Sequence, residues 1–134
     1  SFTGAVKDLL GLVQRPEVVA VEGRWTSAEL ANPFAPETRY RVVLDFQARG
    51  DAVVGNLTEQ RPDGRTMVQR GILEGKLDGR SVTFHTLQQS LMGSETVSFR
   101  NYYRGVVDND SIRFTLESDR PWGFPTQTFL AVRD

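Results

Sequence analysis

Apolar and polar residues alternate with a period of two along most of this chain. The alternation is cleanest in Tyr40/Val42/Leu44/Phe46 and in Ile112/Phe114/Leu116, whose neighbours Arg41, Asp45, Arg113 and Thr115 take the solvent side. Val82/Phe84 and Val97/Phe99 extend the apolar set. The pattern predicts eight strands, at roughly Val21–Leu30, Arg39–Ala48, Ala52–Gln60, Thr66–Leu77, Ser81–Leu87, Thr96–Val107, Ser111–Glu117 and Gln127–Arg133. Only the start of the chain has a helical period. Phe2, Val6, Leu9, Leu10 and Val13 recur at helical spacing until Pro16 stops them, and Gly4 and Gly11 weaken the segment enough that it needs an apolar surface to lie on. Residues 1–16 are therefore expected to form a short helix that caps one end of the fold or docks on a neighbouring domain or partner. Residues 17–134 are expected to form a single domain.

The connections between strands follow an odd–even rule. The second, fourth and sixth are tight: Arg49-Gly50-Asp51, Asp78-Gly79-Arg80 and Asp108-Asn109-Asp110. Gly-Asp and Asp-Gly supply the positive φ angles that short hairpins require. The first, fifth and seventh are long, at Asn32–Glu37, Gln88–Glu95 and Ser118–Thr126, and the third, Arg61–Arg65, is intermediate. Eight antiparallel strands joined in order, with no second helix to cover an open sheet, hide their edges most simply by closing. The expected fold is all-β, an eight-stranded antiparallel up-and-down barrel with one pinched end and one elaborated end. A flattened sandwich is the alternative. Gly55, Gly71, Gly75 and Gly105 fall inside strand patterns, where a small barrel must bend sharply or where a ligand comes close.

At 134 residues the chain is large enough to bury roughly two-thirds of its unfolded surface without a metal or a disulfide. A net charge of −1 gives no broad electrostatic reason to bind double-stranded nucleic acid or an anionic membrane. With no cysteine there is no disulfide framework, thiolate nucleophile or thiolate metal site. No apolar run approaches a membrane span, and no cofactor motif is present. The first residue is Ser rather than Met, the pattern of an excised domain or mature fragment, so a larger parent protein is expected. The compartment stays open between bacterial cytoplasm and periplasm.

Gly23-Arg24-Trp25 opens the first strand and Phe129-Leu130-Ala131-Val132-Arg133 closes the last. Barrel closure would bring them together, with Trp25 stacked under Arg133. This resembles the Gly-x-Trp and terminal Arg arrangement of lipocalins and the wider calycin group, which implies a barrel binding small, mostly apolar ligands at its open end. A longer set covers more of the chain. It comprises Gly71, Gly75-Lys76-Leu77-Asp78-Gly79-Arg80-Ser81-Val82-Thr83-Phe84, Tyr103-Arg104-Gly105-Val106-Val107-Asp108, Ser111-Ile112-Arg113-Phe114 and Phe129-x-Ala131-x-Arg133. It is similar to small lipocalin-like barrels appended to bacterial hydrolases and peptidases, generally of unassigned function. That resemblance implies an accessory module and carries over no functional residues.

No catalytic constellation is visible. His85, the only histidine, should point outward beside inward Val82 and Phe84, as a solvated strand residue. No nucleophile-elbow pattern accompanies it, and metal binding through nitrogen or sulfur would lack partners. Asp108-Asn109-Asp110-Ser111 lacks the glycine and distal glutamate of a calcium loop and reads as a turn. Glu117 and Asp119 could serve as paired acids but read as solvated.

The elaborated end is richer. Pro33-Phe34-Ala35-Pro36 lies in the first connection, Leu91-Met92 in the fifth, and Pro121-Trp122-Gly123-Phe124-Pro125 in the seventh. Arg61, Arg65 and Arg120 add positive charge at the same rim, and Tyr40 points inward beneath it. Phe34, Tyr40, Arg61, Arg65, Met92, Arg120, Trp122 and Phe124 are the candidate ligand-binding residues, suited to a ligand with an apolar or π face and an anionic group. The competing reading folds Phe34, Trp122 and Phe124 inward as a plug. Tyr40, Phe46, Phe84, Phe99, Tyr103, Phe114 and Phe129 all point inward, which favours a mostly filled core with at most a shallow pocket. The expected function is a non-enzymatic accessory barrel that binds a small molecule or peptide at its loop-rich end. The alternatives are a barrel that senses nucleotides or cyclic oligonucleotides in a bacterial effector, and a structural interaction domain docking through its N-terminal segment. A hydrolase or isomerase using rim acids has the least support.

Overall fold

A computed structural model describes residues 19–134; the helix expected within residues 1–16 lies outside the described residues. Ten strand segments fill eight positions of a closed antiparallel barrel: β1 (Gly23–Ser27), β2 (Leu30–Asn32), β3 (Ala35–Arg49), β4 (Ala52–Gln60), β5 (Met67–Gly71), β6 (Leu73–Asp78), β7 (Ser81–Met92), β8 (Glu95–Asp108), β9 (Ser111–Ser118) and β10 (Gln127–Arg133). β1 and β2 are two halves of one strand along β3, and β5 and β6 are two halves of one strand along β4. The sheet closes where β10 meets β1, with Trp25 opposite Arg133.

Two expected long connections turn out to be hairpin extensions. β7 and β8 stay paired out to Met92 and Glu95, so the fifth connection shrinks to a turn at Gly93 (φ 67°) and Ser94. The first shrinks to Pro33-Phe34, where the Asn32 side-chain oxygen accepts the Phe34 N–H. Pro33 and Pro36 hide these strand residues in the sequence, because proline weakens any strand reading although an edge beyond the barrel wall tolerates it. The fourth predicted strand is broken near Ile72. Glu74 adopts φ 50°, rare for a non-glycine residue, and the ladder to β7 shifts register there. Interior parity consequently switches from even positions in β5 to Gly75 and Leu77 in β6. Beyond Leu73–His85 no ladder joins β5 to β7, so the wall parts toward the elaborated end.

The lower barrel is packed solid. Trp25, Leu44, Phe46, Leu57, Val82, Val107, Ile112 and Phe114 are fully buried. Phe84 stacks on Tyr103 at 4.8 Å and Phe114 on Phe129 at 5.3 Å. Gly105 faces this layer, and a Cβ there would lie 2.6 Å from Ile112 and 2.7 Å from the Phe114 ring, so its bareness makes room for them. At Gly55 (φ 145°) a Cβ would overlap the Asp45 carbonyl on the paired strand β3.

The pinched end is closed by residues 19–22. Val21 is buried, and its carbonyl accepts the Trp25 indole N–H at 2.8 Å. The Arg133 guanidinium lies 4.2 Å over the Trp25 ring and donates to the carbonyls of Ala20 and Glu22, both at 2.7 Å. One planar fork thus ties the last strand, the first strand and the chain leading into it.

Candidate functional site

Toward the elaborated end, interior positions change from apolar to polar. Along β4 the inward series Val53, Gly55 and Leu57 ends in Glu59, and along β7 Val82 and Phe84 give way to Thr86 and Gln88. On β8, Asn101 stands between Phe99 and Tyr103; on β5, Arg70 sits opposite Leu57. Glu59, Gln88 and Asn101 of this layer, with Thr38, Tyr40 and Tyr103, wall a cavity of about 160 Å³ that has Arg61, Arg120 and Phe124 at its mouth. Val68 on β5 and Gln88 on β7 both line it, so it also abuts the parted wall.

Arg120 organises the mouth. Its guanidinium lies between two rings, 4.6 Å from the Phe99 centroid and 4.0 Å from that of Phe124. Nε donates to the Ser118 hydroxyl at 2.9 Å and Nη2 to the Asn101 side-chain oxygen at 3.1 Å. The Asn101 amide donates in turn to Gln88 at 2.9 Å. A loop residue is thereby fixed by β7, β8 and β9 together. Burial pulls its pKa down and the Glu59 charge opposes this; a guanidinium stays protonated throughout the physiological range.

Glu59 forms an ion pair with Arg70 at 3.1 Å. Burial, then the negative Glu59, raises the pKa of both Tyr40 and Tyr103. Both phenols therefore remain neutral donors at physiological pH. The Thr86 hydroxyl, cross-strand from Asn101, is buried without a hydrogen-bond partner.

Of the residues singled out from sequence, Tyr40, Arg61, Arg120 and Phe124 come together around this cavity. The other four stand apart from its lining. Phe34 is 57% exposed and packs 6.0 Å from Phe124 on the rim, and Trp122, 41% exposed, sets its edge on Phe99 at 5.4 Å. Met92 is 49% exposed near the tip of the β7–β8 hairpin, carried away by the strand extension. Arg65 is exposed in the β4–β5 loop, where its backbone N–H is donated to Asp63. Loop seven combines both readings of the mouth: its aromatics cover Phe99 and Arg120 but leave the polar cavity open. Glu59, Gln88 and Asn101 escape a reading that looks for chemistry only in loops. Their signal is polarity at inward parity.

His85 faces outward as alternation requires, but it is covered rather than solvated. It is 9% exposed, opposite Leu73 at the irregular end of β6 and 5.6 Å from the Tyr102 ring. It does not line the mouth cavity. Among the described residues no cluster of His, Cys, Asp or Glu is placed to hold a metal ion, and no helix is long and apolar enough to cross a membrane. No protein-family model, curated protein or solved structure matches this chain.

Proposed function

We propose that this barrel is a binding module whose loop-rich end receives a small molecule or the end of a peptide, serving as a non-enzymatic accessory domain. The observation that carries the reading is the polar layer above a filled apolar core. Polar side chains inside a small barrel are costly unless they have partners. Here Arg120, Asn101 and Gln88 are chained by hydrogen bonds along one wall while Glu59 pairs with Arg70, all around a space that apolar packing does not fill. Rigid strands hold most of the wall, and one ordered loop supplies Arg120 and Phe124, a division suited to recognition. Among the described residues His85 lies outside the cavity and Glu59 is paired with Arg70, which favours binding over catalysis at this mouth.

Arg61, Arg120 and Phe124 also suit phosphate and base, the chemistry of a nucleotide sensor. Volume argues against it, because about 160 Å³ encloses one ring-sized body and not a cyclic oligonucleotide. The test is an NMR fragment screen with assigned backbone and Arg120 Nε resonances. Binding should move the amides of Tyr40, Glu59, Gln88 and Asn101 together with Arg120 Nε. Shifts confined to the outer face around His85 and Tyr102 would refute the reading.

A further inference from the structure

The polar groups of the mouth are unevenly satisfied, and what is missing has a definite chemistry. Tyr103 is 3% exposed and lines the cavity, yet its hydroxyl has no hydrogen-bond partner among the described residues. Arg120 has five N–H donors; one on Nε goes to Ser118 and one on Nη2 to Asn101, leaving both on Nη1 and one on Nη2. No carboxylate lies within ion-pair distance of Arg120 among the described residues. Phe99 and Phe124 cover the two faces of its guanidinium, so only its edge remains available. Around Arg120 and Tyr103 the unsatisfied groups are donors, and their demand is for an anionic acceptor.

The edge of a guanidinium matches a carboxylate through two parallel N–H···O bonds. Glu59 restricts the choice further. It lines the same cavity, and only Oε1 is engaged by Arg70. Its charge disfavours a dianion such as phosphate, while its second oxygen can accept a hydrogen bond from the ligand. The volume matches a cavity of about 150 Å³ that takes up benzene.

Resting on the binding reading above, we infer that the mouth is a carboxylate site. The open edge of Arg120 and the Tyr103 hydroxyl hold a small monocarboxylate that donates a hydrogen bond to Glu59. A free acid and the free carboxyl terminus of a peptide share this chemistry.

Isothermal titration calorimetry on the full chain tests it with 4-hydroxybenzoate and its methyl ester, the tripeptide Gly-Gly-Ala and its C-terminal amide, and inorganic phosphate. At least one acid should bind about tenfold or more tighter than its neutral counterpart, and the preferred acid assigns the source. Tyr103→Phe should weaken that acid about tenfold without lowering the melting temperature, since the hydroxyl bonds nothing among the described residues. Arg120→Lys should weaken it comparably although charge is kept, because the planar edge is lost. A neutral form binding as well as its acid, or phosphate binding better than both acids, overturns the inference. Failure of both acids while neutral fragments still move the cavity resonances refutes the carboxylate site alone; no binding of any kind refutes the mouth as well.

Discussion

Arg133 ties the first and last strands together where the barrel closes, and replacing it with Gln isolates its contribution. Four interactions are lost, of which three carry weight. Stacking on Trp25 at 4.2 Å is worth about 0.5–2 kcal/mol. The bonds to the Ala20 and Glu22 carbonyls, both 2.7 Å, are charge-assisted and worth roughly 1.5–3 kcal/mol each if fully shielded. The side chain is 27% exposed, and both carbonyls become accessible to water once it is gone, so about half of that sum is realistic. The pair with Asp110, whose side chain is 83% exposed, adds nothing measurable. The expected loss is about 3 kcal/mol, or roughly 10 °C in melting temperature for a domain of this size. Urea denaturation of Arg133→Gln and Arg133→Lys beside the parent measures it. Lys keeps the charge but not the fork, so it should recover less than half of the loss. The deficit should also persist in about 1 M salt, because stacking and carbonyl bonds outlast the screening that removes surface ion pairs. A loss under about 0.5 kcal/mol for Gln, or full recovery by Lys, would refute the account of closure.

Gly105→Ala should cost about 2 kcal/mol or more in the same assay, because its Cβ would press on Ile112 and Phe114. Gly71→Ala is the control: nothing lies within 4 Å and its φ is ordinary, so it should be neutral or raise stability by about 0.5 kcal/mol. Thr86→Val removes a buried hydroxyl without a partner at nearly constant volume, and should stabilise by about 1 kcal/mol in chemical denaturation. The Asp63 carboxylate accepts the backbone N–H groups of Thr66 and Arg65, which hold its pKa below the ordinary 3.8. A depressed folded pKa gives stability that is present above the unfolded value and lost as pH falls through the folded one. The amides of Arg65 and Thr66 should therefore lose their hydrogen-bonded shifts only below the ordinary carboxylate range, together with the Asp63 carboxyl titration in NMR, and Asp63→Asn should remove the transition.

Closure was legible because it depends on short-range signals. Period-two alternation, Gly50 and Gly79 in the tight turns, and Trp25 and Arg133 at opposite chain ends together specify a closed cylinder. Strand lengths at the mouth were not legible. Gln88, Gln89 and Ser90 are polar on both faces, so alternation fades there even though the backbone ladder continues to Met92. The break near Ile72 rests on a positive φ at Glu74, a conformation its residue type does not announce. At the mouth, Arg120 and Phe124 could be named from their loop, but the folding back of Arg120 depends on Phe99, Asn101 and Ser118 from two strands. Following inward parity up each strand would have added Glu59, Gln88 and Asn101, because a polar residue at a core position must meet a partner or a space.

Crystals of the barrel soaked with a small-fragment library test most directly whether this mouth receives a ligand. Density should appear in the cavity between Tyr103, Gln88 and Phe124, with Arg120 still held between its two rings. Fragments settling on the outer face around His85 and Tyr102 while that cavity stays unfilled would contradict the account.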